Sequence, residues 1–381
     1  MKRSTDRILT THTGSLPRPD GLVELFRVQE GGGAIDRAAF AGQVRAAVAD
    51  VVHRQRAAGI DVVNDGEQGK PDYSTYIKDR LTGFEGERTP ATVSREARQF
   101  PELYAKGMPI ANLFVTRPMC VGPIAWKDFA AVERDIANLK AAVAGAGADE
   151  AFMTAVSPGQ AARFLGNRHY RTHEEYLHAL AAVLKDEYDA IHQAGFVLQL
   201  DCPDLASGWN SQFTELTVAE FRKIVALHLE VLDAATRDIP PEQIRLHLCW
   251  GNYAGPHTCD IPLKDIIDLV LKSRPAAISF EGANPRHEHE WRLFEEMRLP
   301  DGKLLMPGVL DSTCNFVEHP ELVAERICRY AAVAGRENVI AGTDCGFATF
   351  VGRDGVHPTV VWAKLAAMAE GARLASMRLW R

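Results

Sequence analysis

The sequence has no excess of positive charge and no long apolar run. Its formal net charge is −7 and its isoelectric point is about 6.0, so it lacks the basic surface of proteins that bind nucleic acids or membrane surfaces. No stretch approaches the roughly 20 consecutive apolar residues of a transmembrane helix, and the first residues do not resemble a signal peptide. We therefore expect a cytoplasmic protein with neither nucleic-acid nor membrane partners.

A disulfide framework and a dinucleotide-binding fingerprint are also missing. The seven cysteines are odd in number and widely scattered, which indicates free thiols in a reducing compartment. No G-x-G-x-x-G follows the first predicted strand, and this disfavours a doubly wound dinucleotide-binding sheet. The composition is otherwise ordinary, with 46% hydrophobic and 24% charged residues among 381, and it can supply a large α/β core.

Strand-like and helix-like patterns alternate along most of the chain. Strands are predicted at 8–15, 60–67, 118–124, 151–156, 197–201, 245–250, 277–281, 304–310 and 339–343, with amphipathic helices between most of them. This alternation predicts parallel strands joined by helical crossovers. Eight of them would form a (β/α)8 TIM barrel, a single domain over residues 1–381. We expect 118–124 to be a hairpin beside the barrel and 68–115 an insertion after the second strand.

Nearly every predicted strand ends in polar, reactive side chains. The C-terminal ends of barrel strands converge at one mouth, where enzymes of this architecture have their active sites. A single polar strand end is explained by a helix cap, but polar residues at eight strand ends are not. The side chains concerned are His12, Ser15, Asp65, Glu67, Ser157, Asp201, Asp204, His247, Cys249, Glu281, Asp311, Asp344 and Cys345.

Four of these side chains have the chemistry of a zinc site. His247 and Cys249 are two residues apart in a strand-like segment and would project from one face. Glu281 and Cys345 end neighbouring strands, and imidazole, thiolate and carboxylate are ligands that Zn²⁺ takes. Simpler explanations also exist: a buried His–Cys pair on a core strand, a half-buried free thiol at Cys345, and a salt bridge or cap at Glu281.

The same segments carry a family resemblance. They resemble the catalytic half of cobalamin-independent methionine synthase, and still more the epoxyalkane:coenzyme M transferase branch of the same zinc superfamily. The matching stretches run in the same order over nearly the whole chain. They are 10–18, 64–67, 198–201, 247–251, 279–283, 307–309, 317–320 and 343–346.

The resemblance implies a (β/α)8 barrel that holds one zinc ion. The positions that match the family's zinc ligands are His247, Cys249, Glu281 and Cys345. In the methionine synthases, the positions that match Ser15, Glu67 and Asp201 hold the amino-acid end of homocysteine. The methionine synthases also carry a catalytic histidine in a D-I-H-S loop, whereas residues 311–314 here read Asp-Ser-Thr-Cys, with Thr313 in its place.

The ligand set favours alkyl transfer over hydrolysis. Two thiolates and one carboxylate give Zn²⁺ an electron-rich environment that favours release of a sulfur nucleophile, whereas water-activating sites more often use neutral histidines. We therefore predict transfer of a methyl or alkyl group from a small donor to a thiol of the homocysteine or coenzyme M type. Opening of an epoxide by such a thiol is the main alternative. A zinc hydrolase and a purely structural zinc are more distant ones.

Several further side chains have narrower predicted roles. Catalytic roles are predicted for His12, as a proton source, and for Asp201 and Asp311. Arg18 would bind a carboxylate or sulfonate in bidentate fashion, or else be a solvated loop arginine. Trp250 would line an apolar pocket or fill the core. The sequence leaves open whether the chain forms a homo-oligomer.

Overall fold

The protein is built on a curled parallel sheet, seen in a computed structural model that describes residues 1–106, 115–353 and 355–381. Its strands are β1 (Val62–Val63), β2 (Phe84–Arg88), β3 (Pro118–Cys120), β4 (Glu150–Val156), β5 (Val197–Asp201), β6 (Ile244–His247), β7 (Ala277–Phe280), β8 (Leu304–Leu310) and β9 (Gly342–Thr343). Seven of them form one sheet in the order β1–β4–β5–β6–β7–β8–β9. All six pairings in it are parallel.

The central strands are buried along their whole length. Every residue of β5, β6, β7 and β8 is buried, as expected for a parallel sheet whose faces are both covered. The helices are α1 (Asp20–Glu30), α2 (Arg37–Ala57), α3 (Arg95–Gln99), α4 (Pro101–Ala105), α5 (Ala130–Val143), α6 (Pro158–Phe164), α7 (His173–Gln193), α8 (Gly208–Ser211), α9 (Val218–Ala235), α10 (Ile267–Val270), α11 (Leu293–Glu296), α12 (Pro320–Ala334) and α13 (Pro358–Leu379).

Local sequence signals begin several of the long helices. Thr217 precedes α9 and accepts a hydrogen bond from the Glu220 N–H, while the Glu220 carboxylate accepts one from the Thr217 N–H. This capping box satisfies two backbone donors that the first helical turn leaves unpaired. Asp36 caps α2 in a similar way, by accepting from the N–H groups of Ala38 and Ala39.

The N-terminal segment joins the two edges of the sheet. On one side, the Thr11 N–H donates to Ala341 O at 2.8 Å and the Ala341 N–H donates to Leu9 O at 2.9 Å. On the other side, the Val62 N–H donates to Thr10 O at 3.0 Å. The curled sheet is therefore bridged between β9 and β1, an arrangement consistent with a TIM-type barrel.

The segment after β1 contains a second, smaller sheet. β2 and β3 pair antiparallel, with Phe84 opposite Cys120, so the strand predicted near 118–124 does lie outside the parallel sheet. Helices α3 and α4 follow β2. Residues 107–114 of the predicted insertion at 68–115 are outside the described part of the chain. Among the described residues, no helix combines the length and the apolar character that crossing a bilayer requires.

Candidate active site

One histidine and two cysteines form a compact buried group at the C-terminal ends of the parallel strands. The potential ligand atoms of His247, Cys249 and Cys345 all lie within 4.8 Å of one another, and the two Sγ atoms are 3.6 Å apart. His247 ends β6, Cys249 follows two residues later, and Cys345 comes two residues after β9. The parallel arrangement thus brings together side chains that are almost 100 positions apart in sequence.

The imidazole of His247 is oriented by its neighbour on β7. In the strand register His247 is opposite Ser279, and the ring Nδ1 is 3.1 Å from Ser279 Oγ. The other ring nitrogen, Nε2, is buried without a hydrogen-bond partner among the described residues. Burial lowers the pKa of His247 to about 3, so the ring is neutral and retains a lone pair for a metal ion.

The Cys249 thiol is held in the protonated form in this structure. Its pKa is raised well above the usual value, first by the hydrogen bond with Cys345 and then by burial. Two adjacent buried thiols cannot both ionise without a nearby positive charge. The donor set is therefore one that a divalent cation would stabilise.

Glu281 lies beside this group rather than in it. It forms a hydrogen bond with Cys249 that lowers the thiol pKa, but it is not one of the three residues whose ligand atoms converge. Its Oε1 accepts from the Trp250 backbone N–H at 2.7 Å, and its Oε2 accepts from Asn284 Nδ2 at 2.8 Å. In this structure, therefore, Glu281 connects the loop after β6 to the loop after β7.

The three converging residues line a cavity of about 790 Å³. Two carboxyl groups, those of Glu67 and Asp201, line the same cavity. Asp201 is opposite His247 in the strand register, which places it next to the cluster. Its pKa is raised well above the usual range, first by burial and then by the negative charge of Glu67. The cavity therefore has a pair of mutually repelling acids beside its sulfur ligands.

Glu67 is held in an unusual backbone conformation. Its φ is +57°, a value that side-chain-bearing residues rarely adopt and that is frequent at functional sites. The Asp65 carboxylate accepts from the Glu67 N–H at 2.9 Å, and Arg18 Nη2 donates to the Glu67 carbonyl at 2.8 Å. Thr154 Oγ1 donates to Glu67 Oε1 at 3.1 Å, while Oε2 is buried with no partner among the described residues.

Nearly the whole chain matches one protein family. Residues 8–373 match the family described as "Cobalamin-independent synthase, Catalytic domain". The chain belongs to this family. It is similar to the methionine synthase of Thermococcus kodakarensis, with 23% identity over 373 residues, which are 98% of this chain and 94% of that relative. The methionine synthase of Saccharolobus solfataricus is 24% identical over 376 residues, 98% and 96% of the two chains.

A solved structure shares the fold of this chain. It is a B12-independent methionine synthase from Shewanella sp. W3-18-1 in complex with selenomethionine. The TM-score is 0.74 at 20% sequence identity, and the match covers 98% of this chain and 99% of that one. The predicted resemblance to the catalytic half of cobalamin-independent methionine synthase is confirmed.

The cavity includes most, but not all, of the residues that the sequence predicted to bind substrate. Ser15, Glu67, Asp201 and Trp250 line it. The Trp250 indole also packs 4.3 Å from the His287 ring and donates to Ile261 O at 2.6 Å, so it both lines the pocket and fills the core. A side chain at Gly346 would collide with Ser15 Oγ, so a larger residue there would displace the Ser15 hydroxyl from its position in the cavity wall.

Arg18 and His12 do not line the cavity. Arg18 is buried, and its guanidinium donates to the backbone carbonyls of Glu67, Lys70 and Ala348 at 2.8 Å each. Its role in the structure is to hold the Glu67 loop, and it is not the solvated or substrate-facing arginine that the sequence suggested. His12 Nε2 is 2.8 Å from Gln55 Oε1, and burial lowers the pKa of His12 to about 4, so the ring is a poor proton source at neutral pH.

Asp311 lies in a smaller, adjacent cavity of about 230 Å³. Glu281, Asp344 and Cys345 line this second cavity too. The Asp311 carboxylate accepts from both the N–H and the hydroxyl of Thr313, each at 2.7 Å. Because this hydrogen bonding shapes the 311–314 loop, Asp311 has a structural function independent of any contact with substrate.

The sequence did not reveal how the insertion covers the cavity. Glu96 on α3 is fully buried, and its Oε2 accepts from the hydroxyls of Tyr253 and Tyr104 at 2.6 and 2.7 Å. Its Oε1 accepts from the Thr258 N–H at 3.1 Å. Tyr104 and Tyr253 both line the cavity. Glu96 thus fastens the insertion over the active-site end of the sheet, and no local sequence pattern indicates these partners.

Replacing Glu67 should stabilise the protein at alkaline pH. Burial raises the pKa of Glu67 from 4.5 to about 7, so the folded protein binds more protons than the unfolded chain between these values. Stability therefore falls as pH rises through this interval, and the loss persists above it. We expect Glu67→Gln to be more stable than the parent by up to about 3 kcal/mol at about pH 8, with little difference near pH 4.5. Urea unfolding at both pH values measures this.

The matched control is Glu133→Gln, because Glu133 is exposed on α5. It should change the free energy of unfolding by less than about 0.5 kcal/mol at either pH. A Glu67→Gln protein that is no more stable than the parent at alkaline pH would show that the carboxylate is not destabilised by its surroundings.

Removing the Glu96 carboxylate should loosen helices α3 and α4 at the cavity. Three donors would lose a buried, charged acceptor, and we expect the local opening free energy to fall by about 3 kcal/mol. Hydrogen exchange of backbone amides in residues 95–105 of Glu96→Ala should accelerate about 100-fold. Glu102→Ala is the control, since Glu102 is exposed on α4. Equal exchange rates in the two variants would contradict the fastening role.

Proposed function

We propose that this chain is a zinc-dependent methyltransferase that methylates the thiol of homocysteine. The observation that carries the proposal is the convergence of His247, Cys249 and Cys345 in a cavity that also holds two carboxyl groups. The relatives are named methionine synthases, and one solved relative is in complex with selenomethionine. Both facts support an amino-acid substrate with sulfur in its side chain.

The three converging residues fit a zinc ion. His247 Nε2 is a buried nitrogen with no partner among the described residues, and the two sulfurs lie within reach of it. Three protein ligands are typical of catalytic zinc, which keeps one position for substrate. When bound, zinc would supply the positive charge that keeps a substrate thiol ionised at neutral pH. Glu281 as a further ligand stays a prediction, because it would have to give up hydrogen bonds to Trp250 and Asn284.

Glu67 and Asp201 would bind the amino group of homocysteine. An ammonium group between the two carboxyls would offset the burial that raises the pKa of both, and the negative charge of Glu67 that raises the pKa of Asp201 further, and would favour their ionised forms. The unpartnered Glu67 Oε2 is available as an acceptor. Since Asp201 is level with His247 across β5 and β6, an amino acid held there would have its sulfur end directed toward the cysteines.

The segment that contains helices α3 and α4 would exclude water from this reaction. Tyr104 and Tyr253 line the cavity and are fastened by Glu96. Excluding water strengthens the charge interactions inside a site and protects a reactive electrophile from hydrolysis. The protein's own contribution is thus to bind the amino acid, to orient its sulfur and to keep competing water away.

Cobalt substitution with thiol titration tests the proposal. Co²⁺ in place of zinc reports sulfur coordination through its absorption spectrum. We expect the sulfur-to-metal band to change on addition of homocysteine and not of homoserine, which has oxygen in place of sulfur. A response to coenzyme M alone would favour epoxide opening instead. No response to either thiol would overturn the transferase proposal, as would turnover of esters or amides without any thiol.

A further inference from the structure

Two histidines and two carboxylates form a second buried cluster, between the loop after β6 and the loop after β7. Its members are His257, Asp260, His287 and Glu290, and at most 11% of any of these side chains is exposed. One oxygen links the two rings: Asp260 Oδ2 is 2.8 Å from His257 Nδ1 and 3.1 Å from His287 Nε2. None of the four belongs to the converging group of potential metal ligands.

The contacts of the two rings require hydrogen on all four ring nitrogens. His257 Nε2 is 2.9 Å from Tyr253 O, and a carbonyl oxygen only accepts, so this nitrogen is an N–H. Its Nδ1 faces Asp260. The His287 ring lies between two carboxylates, with Asp260 at Nε2 and Glu290 Oε2 at 2.8 Å from Nδ1. Since a neutral imidazole has one N–H, this geometry indicates two imidazolium ions.

The surrounding charges favour the same protonation state. Burial lowers the pKa of both rings, but hydrogen bonds with Asp260, a hydrogen bond of His287 with Glu290, and the charge of Glu281 outweigh it. The pKa of His257 is raised to about 9 and that of His287 to about 10. Burial would raise the pKa of Asp260, but its hydrogen bonds with the two histidines lower it. Asp260 is therefore an anion shared by two cations.

The backbone of His257 adopts a conformation that favours glycine. Its φ is +53°, which is costly for a residue with a side chain and persists only where the surroundings hold it. The His257 carbonyl accepts from Arg286 Nε at 3.0 Å, so a guanidinium also lies beside this residue. A histidine at such a position indicates that the contacts of its ring outweigh the strain.

Each ring of the pair stacks on an aromatic side chain of the cavity wall. The His287 ring lies 4.3 Å from the Trp250 ring, and the His257 ring lies 4.2 Å from the Tyr253 ring, with 35° and 30° between the ring planes. The face of an aromatic ring attracts a cation. Trp250 and Tyr253 both line the 790 Å³ cavity, and the Tyr253 hydroxyl also donates to Glu96. The charge of the pair therefore acts on the cavity wall.

We propose that His257 and His287 are positioning residues that form a pH-sensitive switch: as imidazolium ions they hold Trp250 and Tyr253 in the cavity wall, and loss of their protons at alkaline pH releases this part of the wall. A ring that loses a proton turns a lone pair toward an oxygen and is no longer attracted to the aromatic face. The stabilisation is complete below about pH 6.5, weakens above it and is lost above about pH 10.

NMR of protein labelled with ¹⁵N in its histidine rings tests the protonation state. At about pH 8, below both pKa values, we expect His257 and His287 to carry hydrogen on both ring nitrogens. Their signals are assigned by their absence in His257→Gln and His287→Gln. A ring nitrogen without hydrogen in either residue of the parent protein would overturn the proposal, whatever the variants do.

Fluorine NMR of protein that contains fluorotryptophan tests the effect on the wall. We expect the Trp250 resonance, assigned by its absence in Trp250→Phe, to shift with a midpoint between about pH 9 and about pH 10. His287→Gln should lose most of this shift, because the ring that stacks on Trp250 no longer titrates. Trp362 is the internal reference, since the cation 5.2 Å from its ring is Arg54, which stays charged in this range.

Backbone amide exchange measures release of the wall itself. At about pH 7, amides in residues 250–260 should exchange at least about tenfold faster in His287→Gln than in the parent, because hydrogen bonds between charged groups are lost. His53→Gln is the matched control, since His53 is exposed on α2, and it should behave like the parent. The switch is wrong if the Trp250 resonance does not titrate, if it titrates equally in His287→Gln, or if exchange is unchanged. These measurements involve no thiol, so failure of the switch and failure of the proposed function are distinguishable.

Discussion

Cys249→Ser should lose both the proposed zinc ion and the proposed methyltransferase activity. The hydroxyl that replaces the thiol stays neutral and binds zinc weakly, and the remaining group would be His247 and Cys345. Changes in residues that only support metal ligands cost about 10- to 100-fold in affinity, so we expect loss of a ligand to exceed 100-fold. Metal content after dialysis, measured by mass spectrometry, and the initial rate with saturating homocysteine should fall in parallel.

Cys328→Ser is the matched control for this experiment. Cys328 is a free, half-buried thiol on α12, and it is not part of the converging group. This variant should retain metal and activity at the parental level. If Cys249→Ser kept a full equivalent of zinc, or if Cys328→Ser lost it as readily, the assignment of the metal centre would be wrong.

Asp201→Asn should raise the KM for homocysteine about 100-fold with a much smaller change in kcat. Truncating one member of a buried charge pair costs about 2–5 kcal/mol, and the lower half of that range corresponds to this factor. The substitution preserves shape, and its Oδ1 can still accept from Gln199 Nε2, as Asp201 does at 2.8 Å. An effect confined to KM would indicate binding energy that is equal in the ground state and transition state.

A control variant and a stability measurement accompany the kinetics of Asp201→Asn. Asp301→Asn changes the same functional group on a side chain that is 95% exposed, and its kinetic constants should match those of the parent. Unfolding measurements should show Asp201→Asn to be at least as stable as the parent, because burial and Glu67 disfavour the Asp201 carboxylate. An unchanged KM would mean that Asp201 does not contact the amino acid.

Short-range sequence patterns predicted the secondary-structure elements and the candidate metal ligands well. The two-residue spacing of His247 and Cys249 indicated a common face, and both belong to the converging group. Polar residues after strand-like segments indicated a shared mouth, and Ser15, Glu67 and Asp201 do line one cavity. These inferences succeed because the period of a strand and the direction of parallel strands are local properties that side-chain type reports directly.

The same patterns failed where a side chain's partners are far away in sequence. Arg18 could be predicted as a ligand-binding or solvated arginine, but it is buried and its Nη1 and Nη2 atoms donate to the carbonyls of Glu67, Lys70 and Ala348. His12 could be predicted as a proton source, but burial lowers its pKa to about 4, and its Nε2 is 2.8 Å from Gln55 Oε1. Neither partner is implied by spacing, because such contacts arise only once loops from different strands are packed together.

The sequence by itself determined the alternation of strands and helices, the positions of the reactive strand ends and the chemical identity of the potential zinc ligands. The tertiary structure decided which of these side chains meet, and that burial and the charge of Glu67 together raise the pKa of Asp201. The physical reason is the distance along the chain over which each interaction acts. Backbone propensity acts over a few residues, whereas burial, charge repulsion and cavity shape depend on segments that only folding brings into contact.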